Sequence, residues 1–103
     1  MIVFNTTYTV PNGDARNFVI WVHQSYLLKA QESGILSAGR MLRVLNHKDQ
    51  ESESFCIQFD VEDNGKLHQW YLNQGTLLEK EMKILFEGRV LGFSTILESI
   101  EVE

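Results

Sequence analysis

Several things that would announce a function are scarce in this chain. It holds one cysteine, one proline and only 9 basic residues against 14 acidic ones, for a formal charge of −5. The single Cys56 cannot close an internal disulfide, and its place in an apolar strand pattern suits a small buried hydrophobe better than a nucleophile, which favours a reducing, cytoplasmic setting. The acidic balance would repel a phosphate backbone unless basic residues clustered, and only Arg40 and Arg43 come near to doing so, so no nucleic-acid partner is expected. No apolar run reaches the roughly 18 residues that a membrane span needs, and Met1-Ile2-Val3-Phe4 lacks the basic start of a secretory signal; neither a membrane association nor export is expected. Asn5-Thr6-Thr7 matches a glycosylation acceptor, but without a signal it reads as a chance match inside a strand.

Chemistry-bearing motifs are also missing. His23, His47 and His68 fall on helix, loop and helix at no ligand spacing, so no metal is expected. Asp60-Val61-Glu62-Asp63-Asn64-Gly65 resembles the start of a calcium loop, yet Tyr71 stands where the twelfth-position acid would be required. Neither a phosphate-cradling glycine motif nor a nucleophile elbow is present, and Ser25, Ser94 and Cys56 have no evident base. No catalytic residue and no cofactor are therefore expected.

What the sequence does contain is a regular pattern. A length of 103 residues with 44% hydrophobic and 22% charged residues fits one packed domain, residues 1–103. Ile2, Phe4, Thr6, Tyr8 and Val10 alternate as one face of a strand that Pro11-Asn12-Gly13 ends. Asp14 is placed to cap a helix whose stripe is Ala15, Phe18, Val19, Val22, Tyr26 and Ala30, and Gly34 is placed to stop it. Met41 to Asn46 reads as a second strand. A polar loop, His47 to Glu53, leads to a third in which Phe55, Ile57, Phe59 and Val61 share a face. Asp63-Asn64-Gly65 opens a second helical region to Phe86, with Leu67, Trp70, Tyr71, Leu78, Met82 and Leu85 on its inward stripe. Within it, Gly75 followed by Thr76-Leu77-Leu78-Glu79 predicts a break and a fresh capping box. Val90 to Val102 completes the order β-α-β-β-α-β. The expected fold is an α+β, ferredoxin-like sandwich: an antiparallel four-stranded sheet with two helices on one face and a kink near Gly75.

The last strand is apolar on both faces, with Leu91, Phe93 and Leu97 pointing one way and Val90, Ile96, Ile100 and Val102 the other. That pattern asks for cover on the side away from the helices. A twin molecule would supply it, and Val90, Ile96, Ile100 and Val102 are the candidate homodimer interface. The competing explanation is an edge strand covered by the chain's own loop.

Several stretches together resemble a known family: Met1-Ile2-Val3-Phe4-Asn5-Thr6-Thr7, Phe18-Val19-Ile20-Trp21, Glu32-Ser33-Gly34, Arg43-Val44-Leu45, Gln58-Phe59, and Phe93-Ser94-Thr95-Ile96-Leu97-Glu98. End to end the chain is similar to small bacterial proteins grouped as domain of unknown function 4286, related in fold to the dimeric α/β barrels. Where the family has a His-Ile-Pro step in its first helix this chain has Tyr26-Leu27-Leu28, and where it has Ala-Pro in its second this chain has Gly75-Thr76, so no role of the family histidine carries over to Tyr26. The resemblance implies a homodimer and a small-ligand cleft between the first helix and the sheet, for which Trp21, Tyr26, Gln58 and Trp70 are the candidate lining. The alternative is that these aromatics only fill the core and Gln58 lies in the interface. Two functions follow: a non-catalytic homodimeric module that binds a small ligand or a protein partner, and a small cofactor-free oxygenase or isomerase of the dimeric-barrel type, which would need a polar group of perturbed pKa in an open cleft.

Overall fold

The computed structural model describes residues 1–102; Glu103, the last residue of the expected domain, lies outside the described residues. Four strands, β1 (Ile2–Pro11), β2 (Ser37–Arg43), β3 (Ser52–Val61) and β4 (Leu91–Glu98), form one sheet in the order β2-β3-β1-β4 with every neighbouring pair antiparallel. Between β1 and β2 the chain runs through α1 (Asn12–Trp21), a π-helical turn (Val22–Tyr26) and α2 (Leu27–Ala30). Between β3 and β4 it runs through α3 (Asn64–Trp70), a second π-helical turn (Tyr71–Gly75) and α4 (Thr76–Leu85). This is the expected ferredoxin-like arrangement, with both helical layers on one face.

The strand alternation decides which face the helices take. Phe4, Tyr8 and Val10 of β1 lie beside Phe55, Ile57, Phe59 and Val61 of β3, and these pack against Ala15, Phe18, Val22, Tyr26 and Ala30 from the first helical layer and Leu67, Trp70, Leu78, Met82 and Phe86 from the second. Phe18 is fully buried and sits 5.4 Å from Tyr8, 5.9 Å from Phe55 and 5.6 Å from Phe86, measured between ring centroids. These spacings are in the range where tilted and edge-on aromatic pairs attract.

Several local expectations need correcting, and each has a cause. β2 begins earlier than the predicted Met41 start, because Ser37-Ala38-Gly39 joins the sheet through a bulge between Ser37 and Arg40. That bulge depends on Gly39, whose amide donates to Gln31 Oε1 at 2.9 Å where a Cβ would meet Phe59 at 2.8 Å. Asp14 does not cap α1; its carboxylate instead accepts from Arg89 Nε and Nη2 at 2.8 and 2.9 Å, tying the start of the helix to the segment ahead of β4. Asp63 does cap, accepting from the Lys66 amide at 2.8 Å. At Thr76 no new cap forms. The hydroxyl donates back to the Leu72 carbonyl, and the helix passes through Gly75 in right-handed geometry. The π-turn inserts one residue into the stripe, so burial steps from Trp70 to Gly75 and then to Leu78, Met82 and Phe86, leaving the predicted Tyr71 and Leu85 exposed. β4 stops at Glu98 because its partner β1 ends there, Ile2 lying opposite Glu98.

Replacing Phe18 with Ala should cost about 3–5 kcal/mol, since the cavity is walled by stiff rings, whereas Asp63→Ala should cost about 1 kcal/mol by loss of the cap. Urea titration of the two variants checks both magnitudes and their order.

Candidate functional site

Nothing covers β4. All eight of its residues are exposed, because the second helical layer packs over β1 and β3 and stops short of the edge strand. The uncovered space is a cleft of about 680 Å³ between β1 and β4 on one side and α3, the second π-turn and α4 on the other. Two small residues of β4 face β1 here: Gly92 lies opposite Tyr8 and Ser94 opposite Thr6. A Cβ on Gly92 would sit 2.7 Å from Tyr8 Cδ1, so the missing side chain is what lets that ring lie across the strand. Gly75 plays a matching part in the opposite wall, where a Cβ would sit 2.8 Å from Trp70 and 3.0 Å from Tyr71.

The walls are mainly apolar: Phe4, Leu67, Trp70, Met82 and Ile96 all contribute. Trp70 is fixed at both ends of its indole, edge-on to Phe4 at 5.8 Å and donating from Nε1 to the Ala30 carbonyl at 2.8 Å. The polar groups that reach the cleft are few. The hydroxyls of Thr6 and Ser94 share a 3.1 Å hydrogen bond. Tyr8 and Tyr26, each more than nine-tenths buried, meet in the floor. Burial drives both phenols above their ordinary value of 10.0, Tyr26 the further, and the nearby Glu79 carboxylate adds to both shifts. Both are therefore un-ionised at neutral pH, and a hydrogen bond between the two hydroxyls lowers Tyr8 while it raises Tyr26. At the rim the Tyr71 hydroxyl donates to Glu79 Oε2 at 2.9 Å, and His68, Asn64 and Lys83 complete the opening.

Of the residues singled out from the sequence for a cleft, the structure brings Tyr26 and Trp70 together. Trp21 lies in the seam between the helical layers, where Nε1 donates to Glu81 Oε1 at 3.3 Å. Gln58 is on the opposite face of the sheet, donating to Asn5 Oδ1 at 3.1 Å. The cleft thus lies against the second helical layer, whereas a cleft against the first had been expected. The four residues read as an interface are also placed differently from the expectation. Val90 and Ile96 line the cleft, and Ile100 and Val102 extend beyond β4, with 82% and 96% of their surfaces exposed. On the outer sheet face the apolar residues of β4 are Leu91, Phe93 and Leu97, opposite Thr9, Thr7 and Val3. Sequence reading passed over Thr6, Tyr8, Gly92 and Ser94. The signal for them was present: a hydroxyl pair on the apolar face of β1, and two small residues on one face of a strand otherwise rich in large ones. Among the described residues no group of three or more His, Cys, Asp or Glu side chains is placed to hold a metal, and no helix is long and apolar enough to cross a membrane.

The tyrosines give the fold a sign-defined response to base. A phenol whose folded value is raised stabilises the fold below the unfolded value and loses that contribution as pH rises past it, so urea midpoints should fall from about pH 10 upward. Tyr26→Phe should flatten that fall, and an unchanged slope in the variant would place the pH-sensitive group elsewhere.

No curated protein matches the chain. Among solved structures, a dimeric ferredoxin-like protein from an uncultured marine organism superposes with a TM-score of 0.73 at 17% identity, covering 98% of this chain and 97% of that one. An ethyl tert-butyl ether (EthD) family protein of Bacillus halodurans gives 0.69 at 14% identity, covering 97% and 100%. An antibiotic biosynthesis monooxygenase gives 0.63 at 11%, covering 96% and 99%. At these identities the likeness is one of fold. The model of the family described as domain of unknown function DUF4286 matches residues 1–100, and the chain belongs to that family.

Proposed function

We propose that this protein is a homodimeric, non-catalytic module that holds a small, largely apolar molecule in the cleft beside β4. The observation that carries the reading is the cleft itself: about 680 Å³ of open space with apolar walls and a few convergent hydroxyls, which is the size and character of a small-molecule site.

Dimer formation is supported by the outer sheet face. Its centre is a self-satisfied polar band in which Gln58 donates to Asn5, Asn5 donates to Thr7, and Thr7 lies 3.5 Å from Cys56 Sγ, with Arg40 paired to Asp60 at 3.3 Å. Leu91, Phe93 and Leu97 flank that band and are 68%, 64% and 43% exposed. A two-fold axis would set each apolar strip against its copy or against the copy's band, using one surface twice. Two of the similar solved structures are described as dimeric ferredoxin-like proteins, which agrees with this arrangement.

A second reading, a small cofactor-free oxygenase or isomerase, draws on the same convergence of hydroxyls and on the likeness to an antibiotic biosynthesis monooxygenase. Base chemistry would need a group that ionises readily near neutral pH. The two buried phenols are shifted away from ionisation, Glu79 already accepts from Tyr71, and His68 stands exposed at the rim, so the binding reading is preferred.

Light scattering should give twice the chain mass for the native protein and the chain mass for Phe93→Asp, with unchanged circular dichroism. A dimer that survives this substitution would move the interface off the outer face. The neutral dye Nile red should bind saturably to the native protein and be lost with Ser94→Trp, which fills the cleft; undiminished binding in that variant would remove the site.

A further inference from the structure

The course of the cleft and the state of its polar groups together narrow what can lie in it. The cleft is a slot that follows β4. At one end Ile96 lies opposite Phe4, whose ring meets Trp70 edge-on at 5.8 Å. At the other end Gly92 lies opposite Tyr8, which packs on Phe18 at 5.4 Å, and Phe18 in turn meets Phe86 at 5.6 Å. The helical wall runs the same course, from Leu67 and His68 beside the first end to Met82 and Lys83 beside the second. At about 3.4 Å per residue, the run of β4 from Leu91 to Ile96 makes the slot about 17 Å long. A compact molecule would touch only part of that length, whereas an extended one reaches both ends.

Inside the slot the polar groups are turned on partners of their own. The hydroxyls of Thr6 and Ser94 share a hydrogen bond of 3.1 Å, Trp70 Nε1 donates to the Ala30 carbonyl at 2.8 Å, and the phenols of Tyr8 and Tyr26 are bonded to each other. Among the described residues the buried side-chain polar atom left without a partner is Gln74 Oε1, and Gln74 does not line the cleft. A ligand group that needs hydrogen bonds would give up water here and find no waiting partner, so the enclosed part of the molecule must be hydrocarbon. Charge enters at the rim. Its carboxylate, Glu79, already accepts from the Tyr71 hydroxyl at 2.9 Å, whereas its ammonium, Lys83, stands exposed and has no ion pair among the described residues. The formal charge of −5 works against an anion at long range, but salt screens it beyond about 8 Å and leaves the local ammonium to decide. Resting on the small-ligand reading above, we infer that the cleft takes a single-chain amphiphile, with an unbranched hydrocarbon tail lying along β4 towards Ile96 and a carboxylate head held at the rim beside Lys83.

The test is calorimetric titration of the native protein with straight-chain acids below the concentrations at which they form micelles. From octanoate through decanoate to dodecanoate, affinity should rise by up to about fourfold for each methylene added. Undecanoate should bind roughly tenfold more tightly than adamantane carboxylate, which gathers as many carbons into a ball and buries fewer of them in a slot. Decanoate should exceed decanol by about fivefold, the upper range for an exposed ion pair, and decyltrimethylammonium by more. Lys83→Met, which keeps the stem and removes the charge, should erase the preference for decanoate and leave decanol within about twofold of native. Ile96→Trp, which blocks the far end, should stop the rise with chain length early while leaving octanoate bound; circular dichroism checks that each variant is folded. A ball that binds as well as the straight chain, or a rise with length that persists in Ile96→Trp, would overturn the extended tail. Decanol or the ammonium binding as tightly as decanoate, or a preference for decanoate that survives Lys83→Met, would overturn the placement of the head. Nile red binding to a protein that takes none of the acids would overturn this inference and leave the cleft as a site, whereas failure of Nile red and the acids alike would remove the small-ligand reading and this inference with it.

Discussion

The position of the Phe18 ring governs most of what lies around it. It is fully buried and touches the side chains of β1, β3 and the end of α4 at once, so one residue joins both helical layers to the sheet. Because protein interiors are close-packed, a ring fixed on several sides fixes its neighbours in turn. Tyr8 is one of those neighbours. With its ring pressed against Phe18 on one side and lying over Gly92 on the other, the side chain has little freedom left. The candidate site is thus an extension of the core: the same aromatic cluster that stabilises the domain positions the polar groups a ligand would meet.

Much of this architecture was legible in the sequence. The strict alternation of Phe4, Tyr8 and Val10 and of Phe55, Ile57, Phe59 and Val61 named two central strands and their inward faces, and the stops at Pro11, Gly34 and Gly88, with the polar loop from His47 to Glu53 and the Asp63-Asn64-Gly65 turn, divided the chain into its six elements. The two π-turns were not read, although each leaves a trace. In the first helical layer the buried positions step by four three times in succession, from Phe18 to Val22 to Tyr26 to Ala30, which outruns the 3.6 period of an ordinary helix. In the second, the step of five from Trp70 to Gly75 looks like a break, and a glycine followed by a threonine made a new cap seem the natural explanation.

The cleft was harder to foresee, for a physical reason. Empty space is made by what is absent, and the residues that make it, Gly92 and Ser94, are individually unremarkable. Their meaning depends on register: only when Tyr8 is known to face Gly92 does the lack of a side chain become room for a phenol. The outer face was easier, since the polar members of β1 and β3 had to lie opposite the apolar set. Even so, which apolar residues of β4 joined them turned on a shift of one position, and a one-residue shift moves every side chain of a strand to the other side.

Among the described residues strand β4 is held chiefly by its main-chain ladder with β1, with no helix above it and no strand beyond it. Elements with few buried contacts open at free energies well below that of global unfolding. The bidentate hold of Arg89 on Asp14 anchors the N-terminal root of the strand, so fraying begins at the other end, where Glu98 gives way to residues 99–102, which lie outside any strand. A guest molecule entering the slot would therefore meet a wall hinged at one end, able to yield sideways and close again without disturbing the aromatic interior behind it.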